Sequence, residues 1–291
     1  MITTQSEKPS SLWKGTRILS LLSPILIIRS LYKNRELIWN LTKREVKSIY
    51  QSSFFGALWA VIVPLMMLLI YTFVFSVVFQ VKWSTSGSQE TPRGEFALIL
   101  FAGLTAFNFF SSVINKAPGL ILAVPNYVKK VVFPLEILPV VAVGSAFITS
   151  LISVALILIG HVLLLRSFPT MILLLPLVYV PLVLFTLGFA WFLSSLGIFI
   201  RDIGQIIPVL VQILFFVSPV FYSLDRVPNS LRFLVSLNPL SFILDSFRRV
   251  LIWNEFLDWR NWLIVTLVSA FIAILGYAWF SATKRAFSDV M

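Results

Sequence analysis

Six stretches of this chain hold no Asp, Glu, Lys or Arg: 54–79, 96–115, 137–165, 168–200, 203–224 and 261–283. A helix rises about 1.5 Å per residue, so about 20 apolar residues cross a hydrocarbon core about 30 Å thick, and each stretch reaches that length. Backbone groups in lipid must pair within their own segment, which predicts helices. The short alternating segments of a membrane barrel are absent. Of the 291 residues, 58% are hydrophobic and 12% charged, against about 25% charged in a soluble domain. The sequence therefore predicts an all-α integral membrane protein with six transmembrane helices. An N-terminal segment over 1–53 precedes a transmembrane domain over 54–291.

The 23 Lys and Arg outnumber the 12 Asp and Glu, for a net charge of +11. Such a balance can mark nucleic-acid binding. Here the basic residues sit between the apolar blocks and at the N-terminus, where they act as topology signals and contacts to anionic lipid. With the N-terminus in the cytoplasm, the inner segments carry 15 Lys and Arg and the outer ones 8. Both termini are thus expected inside. The last outer segment holds five arginines, but Asp225, Asp245, Glu255 and Asp258 nearly neutralise them.

The apolar run 18–28 is too short to span, and Arg29, Lys33 and Arg35 stand where a signal cleavage site would need small residues. It is expected on or near the membrane surface. Next comes a candidate amphipathic helix over 36–52. Asn40, Lys43, Lys47 and Gln51 share one face, with Arg44 beside them, and Ile38, Trp39, Leu41, Val46, Ile49 and Tyr50 spread over the other. Such a helix lies in the membrane interface, although Glu45 falls on its apolar side. The alternative is a plain extension of the first crossing. The loop 116–136 reads KAPGLILAVPNYVKKVVFPLE, and its prolines leave room for about two helical turns. Tyr127, Lys129, Lys130 and Phe133 there suit docking into a partner's groove, or else only set topology. Between 223 and 260, the run 231–244 is broken at Asn238-Pro239 and is too short to span, so it reads as re-entrant or interfacial. It leads to Asp245, Arg248 and Arg249, expected at the outer surface. Trp253, Trp259 and Trp262 mark an aromatic belt.

No Gly precedes a Lys anywhere, so no phosphate-binding P-loop exists, and neither HExxH nor GxSxG occurs. There is no cysteine, which excludes disulfides and thiolate metal sites. The single histidine, His161, has no Cys, Asp or Glu nearby and reads as a polar spot near a helix end rather than a metal ligand. Apart from His161, the blocks hold no carboxylate or basic side chain of the kind that moves ions in self-powered carriers. Aromatic residues are plentiful. Tyr71, Phe75 and Phe79 recur every fourth residue, Phe55 and Trp59 form a similar pair, and Phe107, Phe110 and Phe215 add to them in later blocks. Such a stripe could line a path for sugar rings or lipid tails, or simply pack helices. Ala142, Ala146 and Ser150 offer small residues for close helix approach. Pro64, Pro139, Pro176, Pro181, Pro208 and Pro219 imply kinks.

The stretches IYQSSFFGALWAVIVPLMMLLIYTFVFSVVF, VPNYVKKVVFPLEILPVV, RDIGQIIPVLVQILFFVSPVFY and LNPLSFILDSFRRVL, in that order, resemble the permeases of type-2 ABC exporters. The likeness runs from about Leu37 to the C-terminus. Within that family the chain is most similar to permeases exporting O-antigen, capsule or teichoic acid polysaccharide. The resemblance implies a homodimer in the bacterial cytoplasmic (inner) membrane, bound to two ABC ATPase subunits that hold ATP and Mg, with no cofactor in this chain. The implied cargo is a lipid-diphosphate-linked glycan. It assigns coupling to the ATPase to Tyr127, Lys129, Lys130, Phe133 and Glu136, interface contacts to Lys43, Arg44 and Lys47, and an outer gate to Asn238, Pro239, Asp245, Arg248 and Arg249. The same architecture could carry a drug, lipid or small amphiphile. A membrane glycosyltransferase is a third reading, for which the acidic cluster on the outer side is poorly placed.

Overall fold

The computed structural model describes residues 24–51, 55–78, 93–129, 133–223 and 227–290. Phe79 and Lys130, and the side chains of Phe75 and Lys129, lie outside what is described. Among the described residues every element is helical. Four helical segments are long and apolar enough to cross a membrane: 94–119, 137–165, 170–199 and 259–290. Their cores are α4 (Arg93–Lys116), α6 (Ile137–Leu165), α7 (Leu175–Phe199) and α11 (Trp259–Thr283). Two shorter apolar helices, α3 (Trp59–Thr72) and α8 (Ile203–Val217), lie in the first and fifth apolar blocks.

α4 runs through the middle of the bundle, with 83% of its apolar window buried. It packs against α6, α7, α8, α3 and α10 (Pro239–Arg248). Ile99, Leu100, Ala102 and Ala106 are sealed from solvent. The tightest seam joins α7 to α11. A Cβ built on Gly276 would overlap the carbonyl oxygen of Gly188, and one on Gly188 would sit 2.6 Å from the oxygen of Ile272. With Ala273 and Ser269 also buried there, two backbones meet directly, which is how helices gain van der Waals contact when lipid supplies no hydrophobic drive. Trp262, in the expected aromatic belt, donates its indole N–H to the oxygen of Leu177 at 2.9 Å.

The N-terminal segment forms two helices, α1 (Pro24–Lys33) and α2 (Arg35–Gln51). α2 matches the amphipathic helix expected over 36–52, and its Lys43, Arg44 and Lys47 are exposed. Its buried side seats Thr42 against Gly144 of α6, where an added Cβ would come 3.0 Å from the Thr42 hydroxyl. Glu45, anomalous in the amphipathic pattern, pairs with Lys116 at 3.1 Å. α1 extends the assembly further toward the N-terminus than the sequence pattern indicates.

Two blocks are less regular than a run of apolar residues suggests. The first holds α3 and then a π-helical stretch, Phe73–Val78. The fifth, read as continuous over 203–224, is helical only through Val217. Fifteen residues cover about 22 Å at 1.5 Å per residue. Pro64, Pro181 and Pro208 lie inside helices. Pro139 and Pro176 fall in first turns, where a missing N–H breaks no helical bond. Pro219 lies in the break after α8.

Candidate functional site

The break after α8 follows from local chemistry. Pro219 disfavours helical geometry at the residue before it, and Ser218 is extended with φ −77° and ψ 143°. The last carbonyls of a helix lack intrahelical partners. Here Tyr222 folds back, and its hydroxyl donates to the oxygens of Val217 at 2.8 Å and Phe216 at 3.3 Å. Ser218, Pro219, Val220 and Phe221 then run buried against the bundle.

α10 grips this break at both of its own ends. At its start, the Asn238 side chain accepts from the Leu240 N–H as an N-cap, and its amide donates to the Ser218 hydroxyl at 2.9 Å. Pro239 occupies the first helical position, where it is tolerated best. At the other end Arg248 is 2% exposed. Its guanidinium donates to the oxygens of Pro219 at 2.7 Å, Val220 at 2.8 Å and Ile99 at 3.3 Å. A Cβ on Gly103 would stand 2.6 Å from its Nη2, so α4 lacks a side chain where the guanidinium lies.

The expectation that Arg248 faces the outer surface is therefore corrected. The apolar face of α10 turns Leu240, Ile243, Leu244 and Phe247 into the bundle, and Arg248, four residues on from Leu244, shares that face. A charge taken from water costs several kcal/mol unless hydrogen bonds replace its solvation. Carbonyl oxygens at and beyond the negative end of α8 supply them. A glycine in a charge-free block, together with the first of two adjacent arginines after an amphipathic segment, is the one sequence signal that could have suggested this contact. Asp245 and Arg249 stay partly exposed, as expected, joined at 2.8 Å with Glu255 a further 3.3 Å from the guanidinium. The hydrogen bond that Arg249 donates to Asp245 holds it above its ordinary pKa. Beside this cluster, the buried His161 faces the oxygens of Ser167 at 2.9 Å and Ile252 at 3.2 Å. It ties the end of α6 to the turn after α10 as a polar pin.

The aromatic candidates divide. Tyr71 from α3, Phe215 from α8 and Phe221 from the break form one cluster, with ring centroids 5.0–6.4 Å apart. Phe107 joins it at 4.9 Å from Phe215. Phe107 and Phe110 are nonetheless buried inside the bundle at 3% and 4% exposure. Within one chain they pack helices rather than line a space. Phe55 and Trp59 form an exposed edge-to-face pair at 5.9 Å. Phe221 escapes sequence reading because only the break brings it back onto Tyr71.

At the opposite end of the bundle, α4 passes into a tight turn, Ala117–Gly119, and then α5 (Pro125–Lys129). Ala117, Pro118, Ile121 and Leu135 are buried, and Gly197 of α7 meets the Pro118 carbonyl so closely that no Cβ would fit. The loop is thus a braced projection. Tyr127 stacks on Phe133 at 4.5 Å. Glu136 turns inward: it accepts from Lys284 at 2.6 Å and Ser30 at 3.2 Å, while its backbone oxygen accepts from Trp191 at 2.9 Å. Three distant segments of the chain converge on it. A last short helix, α12 (Phe287–Val290), packs against α5, with Phe287 fully buried.

Comparison with known proteins places these features in a wider set. The family description for ABC-2 type transporters matches residues 36–252, well over half of the chain. An O-antigen export system permease protein, RfbA, of Klebsiella pneumoniae is 26% identical over 253 residues, covering 86% of this chain and 93% of that protein. A second RfbA of that organism is 25% identical over 256 residues with the same coverage. The RfbA of Myxococcus xanthus is 26% identical over 268 residues, covering 91% of this chain and 99% of that one.

Proposed function

The chain belongs to the ABC-2 type transporter family, and on that premise we propose that it is the membrane permease of an ATP-driven exporter of O-antigen-type polysaccharide. It is a multi-pass membrane protein and a transport subunit. The observation that carries the cargo class is end-to-end similarity to O-antigen export permeases, 93–99% of whose lengths align with it. The lack of a P-loop in these residues supports ATP hydrolysis, with its Mg, by partner subunits.

In finer terms, α3 and α8 supply the first and fifth of six crossings, with both termini on the cytoplasmic side of the inner membrane. Two copies of the chain face each other across α3 and α8, whose apolar side chains are largely exposed, and a lipid-diphosphate-linked glycan passes between them. Two ATPase subunits dock on α5 through Tyr127, Lys129, Lys130 and Phe133. Their movement loads the braced turn at Pro118, which bears on α7 at Gly197, while Glu136 ties the loop to both termini. On the other side α9 (Asn229–Leu237) and α10 form the outer gate, and Arg248 and Asn238 transmit displacement of α8 to it.

Co-purification with the ATPase tests the docking: Lys129→Glu with Lys130→Glu abolishes complex formation and export of labelled polysaccharide. Retention of both overturns the docking assignment. Export by this chain without any ATPase overturns the proposed function as a whole.

A further inference from the structure

Between α4 and α6, where α2 packs, lies a cavity of about 210 Å³. Two rows of polar side chains stand in its mainly apolar wall. Thr105, Asn108 and Ser112 follow one another at spacings of three and four along one face of α4. Ser145, Thr149 and Ser153 follow at spacings of four along the facing side of α6. Ala142, Ala146 and the ring of Phe109 make up much of the apolar remainder.

The hydroxyls are of two kinds. Thr105 donates to the oxygen of Phe101 at 2.8 Å, Ser112 to Phe109 at 3.0 Å and Thr149 to Ser145 at 3.1 Å. Their protons are spent within their own helices, so each has lone pairs left to offer. Ser145, 2% exposed, and Ser153, 8% exposed, make no side-chain hydrogen bond among the described residues. Neither hydroxyl is among the polar atoms sealed from solvent without a partner, so both open onto the cavity and can pair with whatever fills it. Asn108 and Ser112 are exposed at the rim. Lys116 also lines the cavity, with its ammonium 3.1 Å from Glu45 of α2.

This is a wall of acceptors, two free hydroxyls, an amide, an aromatic ring and a cation. Sugar hydroxyls both donate and accept, the C–H face of a sugar lies on an aromatic ring, and an ammonium binds phosphate. The volume falls below the roughly 300–1,000 Å³ of a drug-sized site, so it suits one head-group residue rather than an oligosaccharide. We propose that the α4–α6 cleft holds the glycosyl phosphate head of a membrane-anchored lipid: the first sugar and adjoining phosphate of the cargo. This rests on the reading of the cargo as a lipid-linked glycan and adds a site, away from the α3–α8 face, where its head is recognised.

The chain has no cysteine, so Ser112→Cys introduces a single reporter thiol at the rim. The full chain with its ATPase, in phosphatidylcholine nanodiscs, is labelled with N-ethylmaleimide and the rate is read by mass spectrometry. A polyprenyl diphosphate bearing one N-acetylglucosamine, at about ten times its dissociation constant, slows labelling about tenfold. Polyprenyl diphosphate without sugar and phosphatidylglycerol leave the rate unchanged. Protection disappears when Ala146→Leu fills the cleft, and it also disappears with the gentler pair Ser145→Ala and Ser153→Ala. No protection by the glycosylated probe, or equal protection by the sugar-free lipid or by phosphatidylglycerol, overturns the proposal. Export of labelled polysaccharide by the unmodified chain in parallel keeps the two readings apart: export without protection sinks the cleft alone, and protection without export sinks the proposed function and leaves the cleft standing.

Discussion

α4 and α8 are both apolar and both kinked or flanked by proline and glycine chemistry, yet the bundle treats them differently. α4 is largely enclosed, with 83% of its window buried. α8 buries only Ile207 and Val211 fully, and Ile206, Val209, Leu210, Ile213 and Phe216 are half or more exposed. α3 resembles α8, with Ala60 its only buried residue. The bundle thus has a fixed interior of α4, α6, α7, α10 and α11, and a pair of helices held at its side by few contacts. Elements with few buried contacts open most easily, so a transporter that must move helices apart would move α3 and α8. The clamp formed by Asn238 and Arg248 is where the loosely held helix meets the fixed interior.

On this division, substitutions in the interior cost folding and those at the side cost transport. Gly276→Val gives the largest effect. Its side chain meets the Gly188 backbone, which cannot turn aside as a side chain can, and overpacking costs about 1–3 kcal/mol even where neighbours yield. The expected result is loss of folded protein on size-exclusion chromatography in detergent. A normal elution profile and melting curve would show that the α7–α11 seam is not the scaffold.

Arg248→Ala comes next. It leaves three carbonyls without their shared donor, and a buried acceptor left unsatisfied costs about 1–3 kcal/mol. Thermal unfolding in detergent should shift down accordingly, and if the ATPase docks on α5, at the other end of the bundle, it stays bound. Arg248→Lys recovers some of the loss, since it keeps the charge without the planar fork. Equal stability of all three proteins would remove Arg248 from the clamp.

The contrast between interior and side also explains what can be read from sequence. The third block and its helix agree to the residue at 137–165, because length and apolarity alone fix such a segment. The amphipathic helix and the short helix after Pro125 are legible from periodicity and proline placement. The end of α8 is not: Ser218-Pro219 sits in an unbroken apolar run, and only its partners Asn238 and Arg248 reveal that the chain turns inward there. Arg248 reads as a surface charge because sequence does not report carbonyls from two other segments. Phe107 and Phe110 cannot be told from path-lining rings, since apolar packing and stacking use the same residues.

Glu136→Gln should be milder. The Lys284 partner is 36% exposed at its side chain, and pairs of that kind contribute about 0–1 kcal/mol. The melting curve barely moves. Glu136 braces the segment after α5 against Ser30 and Lys284; if that segment docks the ATPase, the expected change is in coupling: ATPase activity persists while export per ATP falls. Unchanged export per ATP would reduce Glu136 to an ordinary ion pair.

Leu210→Ala is expected to have the smallest effect on stability and is the sharpest probe of the side. Leu210 is 51% exposed on α8, and substitutions at such positions usually stay within about 0.5 kcal/mol. In a single chain nothing covers it among the described residues. If α8 meets its counterpart in a second copy, that leucine is buried in the assembly, and its truncation weakens the dimer and lowers export while the melting curve of the dissociated chain stays put. Crosslinking yield in membranes measures the first effect and labelled polysaccharide outside the cell the second. Should Leu210→Ala change neither, the exposed face of α8 meets only lipid, and the moving seam must be sought on α3.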